Sequence, residues 1–190
     1  MLNPFRHKRT GDTPPPPEPL LLPAPHPASL DDEALAAQCT FSKDKAGGPG
    51  GQHRNKVESR VTIVHTPTGI EAMAGERRSA VDNQRVALFR LRLALALGAR
   101  TPVPPGDSRS ALWQSRCSRG RIVCNPQHHD YPTLLAEALD TIWACDLDLA
   151  SAALRLTCSA SQLLKLLKEH PAALVLFNQS RASRGLHKLH

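Results

Sequence analysis

The run Ala46-Gly47-Gly48-Pro49-Gly50-Gly51-Gln52 holds the residue types in this chain that point most directly at chemistry. Its four glycines let the backbone take φ > 0 and approach another surface more closely than side chains would permit. Spacing excludes two phosphate-cradling patterns: no glycine stands five residues before a Gly-Lys-Ser/Thr, and G-x-G-x-x-G is not matched. Cations flank the run or the hairpin expected after it: Lys43, Lys45, Arg54, Lys56, Arg60, Arg77 and Arg78. Grouped like this they suit the phosphates of a nucleic acid. A bare surface loop on a solvated basic face is the competing reading.

The charge distribution sharpens the choice. The chain of 190 residues carries 24 Lys+Arg against 17 Asp+Glu, a net +7. Residues 43–100 hold eleven basic and five acidic groups, 101–126 hold four and one, and the last third is neutral. The excess therefore sits in the middle, around the glycine run, and favours a polyanionic partner. No apolar run reaches the roughly 18 residues of a membrane span, so no membrane role is expected. Five irregularly spaced cysteines with no C-x-x-C argue for a reducing compartment rather than a disulfide framework. The basic start lacks an apolar segment of signal-peptide length. Cys117, Cys124, His128 and His129 are spaced unlike a structural zinc site, and no metal or cofactor is expected.

These residues need elements to hold them. Eight prolines between Thr13 and Pro27 predict an extended lead-in. Ser29, with Asp32 three residues on, reads as the cap of a short helix to about Gln38. Cys39–Ser42 reads as a strand, and Arg60–His65 as another, rich in β-branched residues. The turn signal Thr66-Pro67-Thr68-Gly69 would return the chain as a strand over Ile70–Ala74. Ser79 with Asp82 resembles a capping box, opening a helix to about Gly98. Val81, Leu88, Leu91 and Leu95 supply its apolar spacing, with Gln84, Arg85 and Arg92 on other faces. Residues 101–131 read as a basic linker. Helices follow over about Thr133–Cys145, Asp148–Leu156 and Ser159–Glu169, with Pro171 starting a further one. Trp113 and Trp143 read as packing anchors.

The sequence Gly48-Pro49-Gly50-Gly51-Gln52-His53-Arg54-Asn55-Lys56-Val57-Glu58 closely resembles the GGQ segment of class I peptide chain release factors and of the related stop-codon-independent peptidyl-tRNA hydrolases. The likeness continues through Val61–His65, Pro67-Thr68-Gly69-Ile70, Glu76-Arg77-Arg78-Ser79, Asn83 and Ala87. It implies an α+β fold: a small antiparallel sheet packed on a helix, followed here by a small helical C-terminal unit. It implies a loop that enters the peptidyl-transferase centre, where the ester between nascent peptide and tRNA is hydrolysed. Gly50, Gly51 and Gln52 would be the catalytic residues. The Gln52 backbone N–H would donate to the developing oxyanion or the leaving 3′-hydroxyl. Positioning rather than a strong side-chain base would carry the reaction. Lys45, His53, Arg54, Asn55, Lys56, Arg60, Arg77 and Arg78 would contact rRNA or tRNA. The implied partners are large-subunit rRNA, P-site peptidyl-tRNA and a glutamine methyltransferase acting on Gln52. A monomer in the cytoplasm is expected, with an organelle matrix the second choice.

The expected organisation is a Pro-rich lead-in over 1–28, the GGQ domain over 29–100, the linker over 101–131 and the helical region over 132–190. The roughly 46 residues before the loop leave no room for a decoding domain, so release without stop-codon recognition is expected. The charge-balanced end differs from the Lys/Arg-dense tail of the compact rescue hydrolases. Asp148–Leu167 can instead be laid on a helix-turn-helix pattern, with Ala153, Leu156, Cys158, Leu163 and Leu166 inside and Thr157 where a turn glycine is usual. Gln162, Lys165 and Lys168 would face a groove. A ribosome- or RNA-binding protein that reads through this unit and hydrolyses nothing is the alternative function.

Overall fold

The computed structural model describes residues 18–44 and 59–190. Three antiparallel strands, β2 (Cys39–Asp44), β3 (Arg60–His65) and β4 (Glu71–Ala74), form a sheet in the order β2-β3-β4. The register runs Cys39 opposite His65 to Asp44 opposite Arg60, and Val61 opposite Ala74. β3 alternates strictly, burying Val61, Ile63 and His65, as a strand with one covered face must. The β3–β4 turn closes with Gly69 at φ +70°, where any side chain would be strained.

The covering element is α2 (Ala80–Gly98). Ser79 caps it, its Oγ accepting the Asp82 N–H at 3.3 Å. Asn83, Ala87, Leu91 and Leu95 recur at four-residue spacing and form its buried face. Two sequence expectations fail here. Val81 is 60% exposed, and Arg92 is buried. The guanidinium of Arg92 is satisfied by partners far off in sequence: it donates to Ala28 O (2.9 Å), Leu30 O (2.5 Å) and Asp32 Oδ1 (2.8 Å). Gly98 ends α2, but not through a left-handed cap. A Cβ there would lie 2.7 Å from Ile70 Cδ1, so glycine serves close approach of helix to sheet.

The short helix at the start also differs from expectation. α1 spans Asp32–Ala36 and its cap is Asp31, which accepts the Ala34 N–H at 2.7 Å. Ser29 closes a 3₁₀ turn over Pro27–Ser29 instead. A two-residue strand β1 (Leu20–Leu21) pairs in parallel with β5 (Ala99–Arg100).

The segment read as a linker carries structure of its own. α3 (Ala111–Arg116) and a hairpin of β6 (Cys117–Ser118) and β7 (Arg121–Ile122) lie within it. The reason is Trp113, fully buried, whose Nε1–H donates to Leu156 O at 2.9 Å. Helices α4 (Tyr131–Ala144), α5 (Leu149–Arg155), α6 (Ala160–Lys168) and α7 (Pro171–Ser183) follow close to the expected limits. Thr157, between α5 and α6, has φ +53°, the conformation that a turn glycine would otherwise supply. α4 packs on α2, and Val61, Leu91, Leu135, Leu163 and Phe177 belong to one contiguous core. The architecture is α+β, as the resemblance implied.

Three buried titratable groups join α2, α4 and the first corner. His26 accepts the Ala28 N–H through Nδ1, which leaves Nε2–H to face Ala99 O at 3.4 Å. Burial lowers its pKa to about 4. Arg100 donates to Ala96 O and Ala99 O at the end of α2 and lies 4.3 Å over the Trp143 ring. Asp140 accepts from Thr101 Oγ1 at 2.5 Å, and burial raises its pKa to about 6. The two shifts act oppositely on stability. Between pH 6.5 and 4 unfolding lets His26 take up a proton, so its contribution falls on acidification. The folded Asp140 holds a proton that the unfolded chain releases, so its contribution rises over the same range. Urea midpoints at pH 6.5 and 4 should therefore show the wild type gaining about 2–3 kcal/mol relative to Asp140→Asn, and losing about 2–3 kcal/mol relative to His26→Gln. Parallel curves for all three proteins would contradict this.

Candidate functional site

The chain leaves the sheet at Asp44 and re-enters it at Arg60, so the GGQ segment is carried between the paired ends of β2 and β3. Gly50, Gly51, Gln52, Lys45, His53, Arg54, Asn55 and Lys56 lie outside the described residues. The structure does show the stem from which that segment springs and what surrounds it.

Asn83, fully buried on α2, organises the stem. Its Nδ2 donates to Ser59 O at 2.5 Å and to Arg77 O at 2.9 Å, while its Oδ1 accepts the Arg77 N–H at 2.9 Å. One carboxamide thus ties three pieces of chain together: the residue just before β3, the turn after β4, and the first turn of α2. An amide is suited to this because it offers donors and an acceptor in one plane. The same turn is held by Glu76. Its carboxylate accepts from Gly75 N–H (3.0 Å) and pairs with Arg90 at 2.6 Å, while Arg90 also donates to Met73 O. The pKa of Glu76 lies below its ordinary value, chiefly through the Gly75 N–H, then its own N–H, then Arg90. Gly75 itself lies over Arg60, where an added Cβ would sit 3.3 Å from Cγ.

Of the expected nucleic-acid contacts, the structure therefore brings three together. Arg60 starts β3 beside Gly75, and Arg77 and Arg78 project from the exposed turn that Asn83 and Glu76 fasten to the stem. Lys43 lies opposite Val61, one register step from the open end. The described surface at this end of the sheet thus carries four cations, with Asp44 and Glu76 the nearby acids and Glu76 already paired. The arrangement can present a peptide segment to a phosphate-rich surface, with the Ser59 end of that segment held by Asn83 and the Asp44 end paired with Arg60.

The role of Asn83 was not legible in the sequence, because its partners are a backbone carbonyl 24 residues away and a turn that only folding brings near. Its signal was an asparagine on the apolar stripe of a helix, a position where a buried amide must find partners.

Other candidates resolve differently. Cys117 and Cys124 do not join the histidines in a ligand set; the grouping among the described residues is His128, His129 and Asp130. Asp130 Oδ2 already receives Arg116 Nη2 at 2.5 Å and Nε at 2.9 Å, so a cation there would compete with a guanidinium. All five cysteines are free. Gln162, expected to face a groove, accepts the Ile122 N–H at 3.3 Å, and the Ser159 N–H donates to Gly120 O. The hairpin thus covers the start of α6. A cavity of about 280 Å³ lies between α4 and the 101–110 segment, lined by His26, Thr101, Thr133, Glu137 and Asp140. None of its lining residues belongs to the stem. No helix among the described residues is long and apolar enough to cross a membrane.

Residues 32–110 match the RF-1 domain family, a span running from α1 to the residue before α3. Relatives include a chloroplastic peptide chain release factor of Arabidopsis thaliana, 49% identical over 97 residues, which cover 48% of this chain and 20% of the relative. Peptide chain release factor 1 of Symbiobacterium thermophilum is 39% identical over 72 residues, 38% of this chain and 20% of that protein. An uncharacterized mitochondrial peptide chain release factor-like protein of Saccharomyces cerevisiae is 40% identical over 94 residues, 47% of this chain and 59% of its own length. The matched region thus spans between a fifth and three-fifths of these relatives.

The clamp makes a measurable claim. Asn83→Leu keeps the bulk and removes all three hydrogen bonds, leaving the buried Ser59 O without its partner and releasing both backbone groups of the exposed Arg77. The expected loss is about 2–4 kcal/mol in urea unfolding, with faster amide exchange at Arg77 than at Leu91. Wild-type stability with unchanged exchange at Arg77 would show that the clamp holds nothing.

Proposed function

We propose, since this chain belongs to the class I peptide chain release factor family through its RF-1 domain, that it promotes hydrolysis of the peptidyl-tRNA ester in the ribosomal peptidyl-transferase centre. The observation that carries the reading is the Asn83 clamp, which fixes the stem of the segment holding Gly50, Gly51 and Gln52 at the cationic end of the sheet. In this reading Arg60, Arg77 and Arg78, with Lys45, His53, Arg54, Asn55 and Lys56 of the segment itself, contact rRNA and tRNA phosphates. Gly50 and Gly51 let the backbone approach the ester. The Gln52 N–H donates to the oxygen on which charge develops, and the Gln52 side chain bounds the space for the attacking water.

Such a mechanism asks little of side-chain acid–base chemistry. Its effect comes from holding water, donor and ester in one geometry, and a stem fastened from three directions is the protein's contribution. The finer parts of the proposal are release without stop-codon reading, action as a monomer, and methylation of Gln52 by a dedicated methyltransferase. The compartment is one that holds ribosomes, whether cytoplasm or organelle matrix.

Single-turnover release of labelled peptide from P-site peptidyl-tRNA tests this. Ribosomes with an empty A-site codon, a sense codon or a stop codon should all release, and Gly51→Ala or Gln52→Ala should slow release by about 100- to 1000-fold. Release at a stop codon alone would overturn the codon-independent part. Tight ribosome binding without release on any ribosome would favour a binding protein that hydrolyses nothing.

A further inference from the structure

A second cationic surface lies outside the RF-1 segment. The β6–β7 hairpin pairs Cys117 with Ile122 and Ser118 with Arg121, leaving a two-residue turn of Arg119 and Gly120. Both have positive φ, +50° and +75°. This is the hairpin turn in which Asn-Gly is favoured, and a long side chain at its first position is strained. The Arg119 side chain is exposed, so no packing offsets that strain. An unfavourable turn residue at an exposed tip points to a use for its charge.

The tip does not stand alone. Gly120 O accepts the Ser159 N–H at 3.1 Å and Gln162 Oε1 accepts the Ile122 N–H, which seats the hairpin on the first turn of α6. Ser161, Lys165 and Lys168 form the exposed stripe that adjoins Gln162 on that helix. Arg109 and Arg116 are already paired with Asp107 and Asp130. Arg119, Arg121 and Lys168 make no ion pair among the described residues, and Lys165 reaches only Glu169 at 3.9 Å.

We propose that the hairpin tip and α6 form one surface that grips the phosphate backbone of ribosomal RNA without reading base sequence. The inference rests on the ribosomal reading above. Backbone contact follows from the geometry: the helix start that a recognition helix aims at base edges is covered here by the hairpin, and Gln162 is engaged with Ile122. What remains exposed is point charge, which positions on phosphates but does not specify sequence.

The test is equilibrium binding of the full chain to purified ribosomes across a series of salt concentrations, alongside the release assay. The variant Arg119→Asn/Arg121→Gln/Lys165→Gln/Lys168→Gln keeps polar side chains and places at 119 a residue the turn favours. The Arg119→Asn change alone should leave Tm equal or higher, which separates binding from folding. The fourfold variant should bind about 10- to 100-fold more weakly near physiological salt, with the slope of log K against log salt shallower by about 3. Unchanged affinity and slope, while wild type releases peptide, would overturn this inference alone. A wild type that neither binds ribosomes nor releases peptide would overturn it together with the reading beneath it. Displacement of the wild type by polyglutamate as effective as by an RNA duplex of equal charge would assign the surface to an acidic protein and overturn the RNA proposal.

Discussion

The carboxamide of Asn83 is the interaction on which the functional end of this molecule depends. A three-stranded sheet whose first two strands are joined through residues 45–58 has no means of its own to aim that connection. β2 is an edge strand, exposed along most of its length, and cannot brace it. Rigidity has to come from the covering helix, and Asn83 delivers it through two donated bonds and one accepted. The cost of burying an unpaired amide makes the arrangement close to all-or-none. Either Ser59 and Arg77 are both in place, or the Asn83 carboxamide and the Ser59 carbonyl are buried without partners.

A second set of ties fixes α2 itself. Arg92 reaches back to Ala28, Leu30 and Asp32, while Thr133 at the start of α4 donates to the same Ala28 carbonyl. The first corner, the long helix and the helical unit are therefore bonded through one carbonyl and share one core. Trp113 extends the connection to the α5–α6 turn through Leu156. The basic hairpin and the GGQ stem consequently belong to one packed body.

Much of the local structure was legible, because it depends on neighbours in sequence. The β-branched run of Arg60–His65, the Thr-Pro-Thr-Gly turn and the Ser79 cap each signal through neighbouring residues, and each is found where expected. What was not legible depends on distant partners. Arg92 looks like a surface residue until carbonyls some 60 residues away are brought beside it. Asp31 displaced Ser29 as a cap because Pro27 starts a 3₁₀ turn that ends at Ser29. The 101–131 segment is rich in polar residues and prolines, yet one buried tryptophan organises it. Its Ser-Arg-Gly-Arg run was a readable turn signal that composition obscured. At the candidate site, the grouping of Arg60, Arg77 and Arg78 was anticipated from sequence proximity, whereas the clamp that groups them was not.

The central claim is that this stem delivers residues 50–52 to the end of the P-site tRNA. The most direct measurement is a cryo-electron microscopy reconstruction of the chain bound to ribosomes carrying a non-hydrolysable peptidyl-tRNA analogue. The account predicts density for Gly50, Gly51 and Gln52 beside the terminal ribose, with the Gln52 N–H within hydrogen-bonding reach of its 3′ linkage. Occupancy at any other ribosomal position, with the peptidyl-transferase centre empty, would contradict it.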